Sequence, residues 1–556
     1  MYLITRRKAD VFMATVEKFQ TETIRKENPH FSRLKSTVET AFYSNNVTPV
    51  NSIEEAYSRA LDAPNTIVLD AEVKHAEDLG LPVGAKQLLT QDGRVFGRTA
   101  KARRNYGSDP EEDEALLAIV REAIFAGSHE PFLKATAYVG LDQDFMIKAH
   151  ITMPATQSNN LYSWLVNFQV ANAEYDQLYA NSKQYPENDL YIFFYPEFKH
   201  PDYPMGLAYF DSDHNTVAIL GMNYFGEIKK GTLTLAWGTA ARNGYVACHG
   251  GLKIFRTESE AHVASFFGLS GSGKSTLTHA KHEGRFDIDV LHDDAFIVNI
   301  EDGSSIALEP AYFDKTSDYP AGHPEQDYFV TVQNVGVTLD EHGKKALVTE
   351  DIRNGNGRTV KSRYSSDNRV DKIDEPIEAI YWIMKDDSLP PIVKVTDPLL
   401  ASAFGATLAT KRSTAENTTD DRDALVIEPY ANPFRVYPLV EDYEKFKALF
   451  ETGVDCYIIN TGDFLGKKVT PSDTLGVIEA NVLKTATFEA FGPLKHFEYV
   501  PLDGFEVPFE DDVYLEYLKN RMQGRLDFIV NFNAQHTMHL LPNELVEAFQ
   551  KIVRSI

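Results

Sequence analysis

Runs of apolar residues alternate along the chain with polar and glycine-rich turns, and several of these runs predict strands. The segments "VASFF" (263–267), "EAIYWIMK" (378–385) and "DCYIINTG" (455–462) predict strands. "LYIFFYPEF" (190–198) and "NTVAILG" (215–221) predict two further strands in the first half of the chain. Strands are therefore predicted in both halves of the chain.

Other segments carry the helical period. "DPEEDEALLAIVREAIFAG" (109–127) predicts a helix whose acidic residues fill the first turn, where the helix dipole favours negative charge. The last fifteen residues place Leu545, Phe549, Ile552 and Val553 on one face and predict an amphipathic helix. Helices therefore alternate with the predicted strands.

One short segment combines a strand, a turn and a helix start. "FFGLSGSGKST", from Phe266 to Thr276, contains the phosphate-loop pattern G-x-x-x-x-G-K-[ST], and "KSTLTHAKHEG" predicts a short helix after it. Glycines let the backbone wrap a phosphate with its N–H groups pointing inward. Lys274 would reach the outer phosphates and Ser275 would bind Mg²⁺. The alternative is a glycine-rich turn with a surface lysine.

Length, charge and cysteine content narrow the function classes. The chain has 556 residues, which predicts two or three domains, and a net charge of −26, which argues against nucleic-acid binding. Two cysteines are too few for a disulfide framework or a thiolate metal cluster. We find no signal peptide or apolar run of membrane-spanning length. These features predict a soluble cytoplasmic protein that gathers any anionic substrate in a local basic pocket.

A second group of residues favours metal binding. In "LHDDAF", Asp293 and Asp294 follow an apolar run 19 and 20 residues after Lys274, where nucleotide-bound metal usually finds a carboxylate. Adjacent strand residues point to opposite faces, so the two aspartates should have different roles. His249, Asp294 and Lys230 would together suit Mn²⁺, if Lys230 ligates as the neutral amine. The alternatives are a solvated turn, a structural histidine and a solvated lysine pair.

A basic block stands out in this acidic protein. "FGRTAKARRNYG" (96–107) places Arg98, Lys101, Arg103 and Arg104 within seven residues. Guanidinium groups suit the carboxylates and phosphates of a substrate. The alternative is a solvent-exposed basic loop.

Taken in order, these motifs resemble the ATP-dependent phosphoenolpyruvate carboxykinases over roughly residues 90–500. The matching segments are "GRTAKARR", "NYFGEIKKG", "CHGG", "GLSGSGKST", "DDAF", "AYFDKT", "HPEQDY", "KSRYSSDN" and "NTGDFLGKKVTPSDT". The resemblance implies an N-terminal substrate-binding α/β domain and a C-terminal mononucleotide-binding domain that carries the phosphate loop, with the active site in the cleft between them. We place the boundary so that the domains span 1–240 and 241–556.

The resemblance also implies roles for individual residues. The implied catalytic residues are Arg98, Tyr224, Lys230, Ser270, Lys274 and Arg363. The implied nucleotide-binding residues are Gly268, Leu269, Ser270, Gly271, Ser272, Gly273, Lys274, Ser275, Thr276, Lys315, Glu325, Lys468, Val469 and Thr474. The implied metal ligands are Lys230, His249, Ser275 and Asp294.

The reaction implied is the conversion of oxaloacetate and ATP to phosphoenolpyruvate, CO₂ and ADP, a gluconeogenic or anaplerotic step, with Mg²⁺ and Mn²⁺ as cofactors. We expect small-molecule substrates, no nucleic acid, no membrane, and a monomer or small homo-oligomer.

Several positions depart from the family pattern. "AFIV" follows the aspartates where the family has Glu-His-Gly-Trp, Lys468 stands in place of an arginine, and Arg358 lies close enough to compete with Arg363 for the same role. Two alternatives stay open: a related phosphotransferase with another carboxylate or protein acceptor, and a non-catalytic nucleotide-binding protein.

Overall fold

A computed structural model describes Asn28 and residues 30–91, 102–258, 260–269, 271–350, 357–411 and 425–556. The described residues form the following α-helices: α1 Arg33–Thr40, α2 Ile53–Leu61, α3 Pro110–Gly127, α4 Ser158–Asn167, α5 Ala173–Ala180, α6 Phe225–Arg242, α7 Lys274–His279, α8 Pro398–Ala406, α9 Leu439–Glu451, α10 Pro471–Val482, α11 Asp512–Gln535 and α12 Asn543–Ser555.

The strands of the first half of the chain are β1 Val47–Pro49, β2 Thr66–Glu72, β3 Lys86–Thr90, β4 Arg103–Asn105, β5 Phe132–Asp142, β6 Phe145–Pro154, β7 Gln169–Val170, β8 Leu190–Tyr195, β9 Leu207–Asp211, β10 Thr216–Leu220, β11 Tyr245–Arg256 and β12 Ala261–Phe267. Those of the second half are β13 Asp287–His292, β14 Ala295–Asn299, β15 Ser305–Ala307, β16 Tyr312–Lys315, β17 Phe329–Gln333, β18 Gly336–Leu339, β19 Lys345–Val348, β20 Arg358–Lys361, β21 Lys372–Ile373, β22 Ile377–Met384, β23 Ile392–Val395, β24 Ala409–Lys411, β25 Leu425–Ile427, β26 Asp455–Asn460, β27 Asp463–Phe464, β28 Lys467–Lys468, β29 Glu489–Ala490 and β30 Phe497–Tyr499.

The described residues divide into two compact units. The first takes its residues from Met1–Thr239 and Leu308–Asp367, and the second from Ala240–Ala307, Asn368–Thr414 and Thr418–Ile556. The predicted C-terminal domain is continuous from residue 241, whereas the structure assigns Leu308–Asp367 to the first unit. The reason is strand pairing, since β17 lies parallel to β3 and antiparallel to β20 in one sheet.

The first unit contains two main sheets. An eight-stranded sheet has the order β1-β5-β6-β8-β10-β9-β4, with β7 paired to β5, and a five-stranded sheet has the order β16-β20-β17-β3-β2. One core of the unit joins apolar residues of α1 and α3, such as Val38 and Val120, to strand residues such as Phe193 and Tyr209. Burying the apolar stripe of each helix against the sheet is the main source of stability in such a layer.

The second unit is built on an eleven-stranded sheet with the order β21-β15-β14-β11-β12-β22-β26-β23-β30-β29, and β13 pairs with β11. The neighbours β12, β22 and β26 run parallel and are almost wholly buried. That burial explains why their sequences are continuous apolar runs. The predicted strands in both halves and the helix at 109–127 are confirmed.

Asp109 caps α3, since its side chain accepts from the Glu111 and Glu112 N–H groups. α12 confirms the predicted amphipathic helix and buries Leu545, Phe549 and Ile552. The protein is therefore a mixed α/β protein with several sheets. Among the described residues, we find no helix with the length and apolar content needed to cross a membrane.

Candidate active site

The phosphate loop joins β12 to α7 in the second unit. Gly271 and Gly273 have φ angles of 79° and 101°, in the left-handed region that only glycine adopts readily. A Cβ on Gly268 would collide with the Ser272 hydroxyl, so glycine is needed there for packing. Ser270 lies outside the described residues. The predicted strand–turn–helix context of the motif is confirmed.

Two side chains from other segments donate hydrogen bonds to carbonyl groups of the loop. Thr461 Oγ1 donates to Ser272 O at 2.7 Å, and Lys385 Nζ donates to Gly271 O at 3.1 Å. Bonds to these carbonyls fix the peptide planes of the loop before any ligand arrives. The Ser272 hydroxyl is buried and has no hydrogen-bond partner among the described residues. A buried polar atom without a partner is costly in a finished core, and it fits a loop built to receive a polar ligand.

The first three residues of α7 differ in their exposure to solvent. Ser275 and Thr276 are exposed, so their hydroxyls can meet a ligand or a cation. Lys274 is 8% exposed, and its ammonium lies 3.5 Å from Asp294 Oδ1. The lysine is therefore not the surface lysine of the alternative interpretation. Its ammonium is paired with the carboxylate of Asp294.

The two aspartates occupy the turn between β13 and β14 and have different partners. Asp293 is buried, and its Oδ2 lies 3.6 Å from His279 Nε2. Burial opposes the ionisation of Asp293, but the hydrogen bond and charge of His279 outweigh it and hold the pKa of the carboxyl below its usual range. Asp294 is partly exposed and contacts His249 and Lys274. The two aspartates therefore have different environments, and their different roles stay a prediction.

A residue that the sequence analysis missed holds this turn. His292 is fully buried, and its Nδ1 accepts from the N–H groups of Asp294 and Ala295 at 3.0 and 3.1 Å. The imidazole thus fixes the backbone that presents Asp294. The only sequence signal was a histidine directly before the aspartate pair.

His249 lies on β11 with both ring nitrogens engaged. Its Nδ1 is 2.5 Å from Ala431 O, so Nδ1 carries the hydrogen and donates to that carbonyl. Its Nε2 is 3.0 Å from Asp294 Oδ1. In a neutral imidazole this contact sets a lone pair against a carboxylate oxygen, which is unfavourable unless a proton or a cation lies between them.

The donor set therefore fits a divalent cation. One imidazole nitrogen and one carboxylate oxygen suit Mn²⁺ or a similar ion, and the hydrogen bond from Nδ1 to the backbone holds the ring so that Nε2 can face the ion. Within the described ranges we find no group of three His, Cys, Asp or Glu side chains that could hold a metal. The predicted set contains only two such residues, since its remaining ligands are a lysine and a serine.

In the first unit, Tyr224 directly precedes α6. A Cβ on Gly226 would lie 2.5 Å from the ring of Tyr224, so the glycine lets the tyrosine fold back over the start of the helix. Tyr224 is half-buried. This contact gives a physical reason for the Tyr-x-Gly part of the motif.

The two adjacent lysines of α6 have separate environments. Lys229 is fully buried, and its ammonium lies 2.9 Å from Glu309 Oε1, while Asn167 Nδ2 donates to Glu309 Oε2 at 2.7 Å. Lys230 is half-buried, with its ammonium 5.6 Å from the ring centroid of Trp237. The solvated-pair alternative is wrong for Lys229, which forms a buried ion pair. Lys230 is the lysine with access to a ligand.

We expect Lys229→Met to lower the free energy of unfolding by about 3–5 kcal/mol, because it leaves the buried Glu309 carboxylate without its counter-ion. Thermal melting of the purified protein measures the effect. The double variant Lys229→Met/Glu309→Gln should recover part of the loss, since it removes the uncompensated charge. A single variant that melts at the wild-type temperature would contradict this account.

The basic block is partly structural. Arg103 pairs with Glu227 of α6 at 2.8 Å, and Arg104 pairs with Glu112 of α3 at 2.7 Å. Arg98 and Lys101 lie outside the described residues. The Arg103–Glu227 pair ties the end of the Arg98 segment to the helix that carries Lys230. The sequence does not predict this ion pair, because an arginine in a basic run gives no sign of its partner.

Lys315, Glu325, Arg358 and Arg363 all belong to the first unit. Lys315 is half-buried at the end of β16, and Glu325 Oε2 lies 2.5 Å from the ammonium of Lys361. Arg358 is 7% exposed within β20 and bonds to Gly357 O. Arg363 contacts Tyr175 Oη at 3.2 Å and borders a cavity of about 630 Å³. Of the two arginines, Arg363 is the one that faces open space.

The predicted adenine segment lies in the second unit after β26. Val469 and Thr474 are buried, and Thr474 Oγ1 donates to Pro471 O at 3.1 Å. Lys468 is exposed on β28. Only Lys468 of these three has a side chain open to a ligand, so the other two would contribute mainly through the shape of the segment.

The family model described as phosphoenolpyruvate carboxykinase matches residues 105–508. The chain is 26% identical over 276 residues to "Phosphoenolpyruvate carboxykinase (ATP)" of Aeropyrum pernix, a match that covers 46% of this chain and 54% of that protein. It is 25% identical over 501 residues to the protein of the same name from Dictyostelium discoideum, covering 84% of each.

The chain thus spans about half the length of the first relative and most of the second. The family match begins within β4 and ends before α11, so it contains the phosphate loop, the aspartate turn and the start of α6. The chain belongs to the ATP-dependent phosphoenolpyruvate carboxykinase family.

Proposed function

We propose that the protein catalyses the ATP-dependent decarboxylation and phosphorylation of oxaloacetate to phosphoenolpyruvate, CO₂ and ADP. The observation that carries the proposal is the position of Asp294, whose Oδ1 lies 3.0 Å from His249 Nε2 and 3.5 Å from Lys274 Nζ. One carboxylate joins a phosphate-binding lysine to a metal-binding histidine. Family membership supports oxaloacetate as the substrate.

In the first step, the bond between the departing carboxylate and its neighbouring carbon breaks, and its electron pair moves to the carbonyl oxygen as CO₂ leaves. The product is an enolate, whose developing negative charge is stabilised by nearby cationic groups. Arg98 would hold a substrate carboxylate and Tyr224 would contact the substrate. Tyr224 suits this role because Gly226 leaves room for its ring over the start of α6.

In the second step, the enolate oxygen attacks the γ-phosphorus of ATP, and the bond from that phosphorus to the bridging oxygen breaks to release ADP. Lys274 and Arg363 would neutralise the charge on the transferred group. Ser270 would contact the substrate from within the loop. The proposal requires residues of both units to serve one reaction, as the family arrangement implies.

Two cations belong to the proposal. The exposed hydroxyl of Ser275 would hold Mg²⁺ with the nucleotide phosphates, and His249, Asp294 and Lys230 would hold Mn²⁺. A cation bound there supplies Lewis-acid stabilisation of the enolate oxygen. Lys230 can ligate only as the neutral amine, because a protonated ammonium has no lone pair to give to a cation.

The nucleotide would lie along the loop and the segment after β26. The loop residues Gly268, Leu269, Gly271, Ser272, Gly273 and Thr276 would surround the phosphates, Lys468, Val469 and Thr474 would line the adenine, and Lys315 and Glu325 would approach the nucleotide and its ribose. Glu325 would bind the ribose through Oε1, since Oε2 pairs with Lys361.

"AFIV", the segment that departs from the family pattern, forms β14. Its residues Ala295–Val298 are buried and pair with β11 and β15. Their side chains are therefore packing residues of the sheet. The departure from the family pattern at β14 therefore changes the packing of the sheet and supports no change in the proposed chemistry.

The test is direct. Purified full-length protein with Mn²⁺, Mg²⁺, ATP and oxaloacetate should form phosphoenolpyruvate and ADP in equal amounts, measured by ³¹P NMR. Absence of phosphoenolpyruvate across divalent metals and nucleotides would overturn the proposal. ATP turnover without decarboxylation would indicate a phosphotransferase with another acceptor, and nucleotide binding without turnover would indicate a non-catalytic protein.

A further inference from the structure

A lysine lies under the helix of the phosphate loop. Lys253 of β11 is fully buried, and its ammonium donates to Leu277 O at 2.7 Å and to Ala280 O at 3.1 Å. These carbonyls belong to the last turn of α7 and its end, where backbone acceptors lack intrahelical donors. α7 packs so closely on β11 that a Cβ on Gly251 would collide with Thr278. Lys253 therefore fastens the end of α7 to the sheet.

The ammonium continues into a chain of polar groups. Lys253 Nζ lies 3.0 Å from His282 Nε2, and His282 Nδ1 lies 2.9 Å from Glu479 Oε1. Glu479, on α10, also pairs with Arg285 at 2.6 Å. In the matching tautomer, His282 accepts at Nε2 and donates from Nδ1 to the carboxylate. The chain runs from a buried strand to the partly exposed side of α10.

The surroundings of Lys253 make the charge of its ammonium sensitive to pH near neutrality. Burial lowers the pKa of Lys253 to about 7, and the charge of Glu479 acts in the opposite direction. Burial and the charge of Lys253 also lower the pKa of His282, while Glu479 raises it.

Two aromatic rings also lie near the ammonium. The ring centroids of Phe255 and Phe266 lie 4.7 and 5.6 Å from Lys253 Nζ. His262 on β12 contacts Phe255 and pairs with Glu378. Lys253 is thus enclosed, with His282 and Glu479 as its nearest titratable groups.

Building on the nucleotide site of the proposed function, we propose that Lys253 is a positioning residue for the phosphate loop: its protonated ammonium, held through His282 and Glu479, fixes α7 on the sheet and so sets the affinity for nucleotide phosphates. The protonated ammonium donates to both carbonyls and to His282 at once. A neutral amine has only two N–H groups for three acceptors and gives up one of these bonds. A cation at the carbonyl end of a helix also favours an anion at its other end.

The proposal predicts that nucleotide affinity and the contribution of Lys253 to stability change in opposite directions with pH. Nucleotide affinity should fall as pH rises through about 7, because Lys253 loses its proton. The contribution of Lys253 to the free energy of unfolding changes in the opposite direction. The unfolded chain binds this proton up to the ordinary pKa of 10.5 and the folded chain only to about 7, so the contribution of Lys253 to stability rises with pH between those values.

The experiment measures ADP binding with Mg²⁺ by calorimetry from about pH 6 to about pH 8.5, together with melting temperature, in the wild type and Lys253→Met. At the acid end of this range, we expect the variant to bind ADP about two- to fivefold more weakly than the wild type. This is the size of the effect that a cation has at a helix end. At the alkaline end, the two proteins should bind ADP equally. Lys445→Met is the matched control. Lys445 is a half-buried lysine of the second unit, and its ammonium donates to Ala241 O away from the loop.

Coincident pH profiles of ADP affinity for Lys253→Met and wild type would overturn the inference, and so would an equal change in Lys445→Met. If Lys253→Met does not fold, Glu479→Gln gives the answer, because losing the carboxylate charge should move the midpoint of the affinity profile to lower pH. An unmoved midpoint would overturn the inference as well. Failure of the wild type to bind ADP would instead count against the proposed function.

Discussion

His249→Ala is expected to lose carboxykinase turnover while keeping its affinity for ADP and Mg²⁺. The histidine faces Asp294 through Nε2, and its other nitrogen is fixed by Ala431 O. Removing a residue that only orients a metal ligand lowers metal affinity or activity about ten- to a hundredfold, so loss of the ligand itself should lower kcat by more than about a hundredfold. Nucleotide binding rests on the loop and not on this imidazole. Phosphoenolpyruvate formation and calorimetric ADP binding measure the two effects separately.

The matched control is His262→Ala. His262 lies in the same sheet and also pairs with a carboxylate, that of Glu378, at 2.8 Å. We expect this variant to keep wild-type turnover. Loss of ADP affinity in His249→Ala, or equal loss of turnover in both variants, would contradict the assignment of His249 to a second metal.

Lys274→Met should impair both nucleotide binding and turnover. The methionine keeps most of the length of the side chain but removes the charge that lies 3.5 Å from Asp294 Oδ1. Losing one preorganised cation at a site where charge develops costs about a hundred- to a thousandfold in kcat. Affinity for ATP should also fall, because the lysine would contact the outer phosphates in the ground state as well. Together the two variants separate the phosphate side of the site from the metal side.

Lys281→Met provides the comparison for Lys274→Met. Lys281 is exposed just beyond α7, so its loss changes the net charge by the same amount without touching the loop. We expect it to keep wild-type kcat and affinity. If Lys274→Met binds ATP like the wild type and turns over oxaloacetate at the wild-type rate, the phosphate-loop interpretation is wrong.

Local patterns determined most of what the sequence could predict. The parallel strands β12, β22 and β26 appear as apolar runs because both of their faces are buried. The phosphate loop was predictable because the conformations of Gly271 and Gly273 leave little choice of residue. Where neighbouring residues decide the structure, one sequence is enough.

Features that depend on distant residues could not be predicted. Nothing in "KK" shows that Lys229 is buried against Glu309 while Lys230 stays half-exposed, since that depends on how α6 is rotated against its neighbours. The capping of the aspartate turn by His292 depends on the path of the backbone between β13 and β14. Likewise, the polar chain from Lys253 to Glu479 joins residues on separate elements.

The pairing of β17 with β3 has a consequence for biosynthesis. During translation, β2 and β3 emerge from the ribosome early, but their partner strands β17 and β20 follow only after the whole segment from Ala240 to Ala307. Contacts so distant along the chain form slowly, because the intervening loop must be closed first. A truncation at residue 240 would therefore leave β3 with an unpaired edge, the kind of edge that promotes aggregation. Expression of either half alone should give insoluble protein unless the missing strands are supplied.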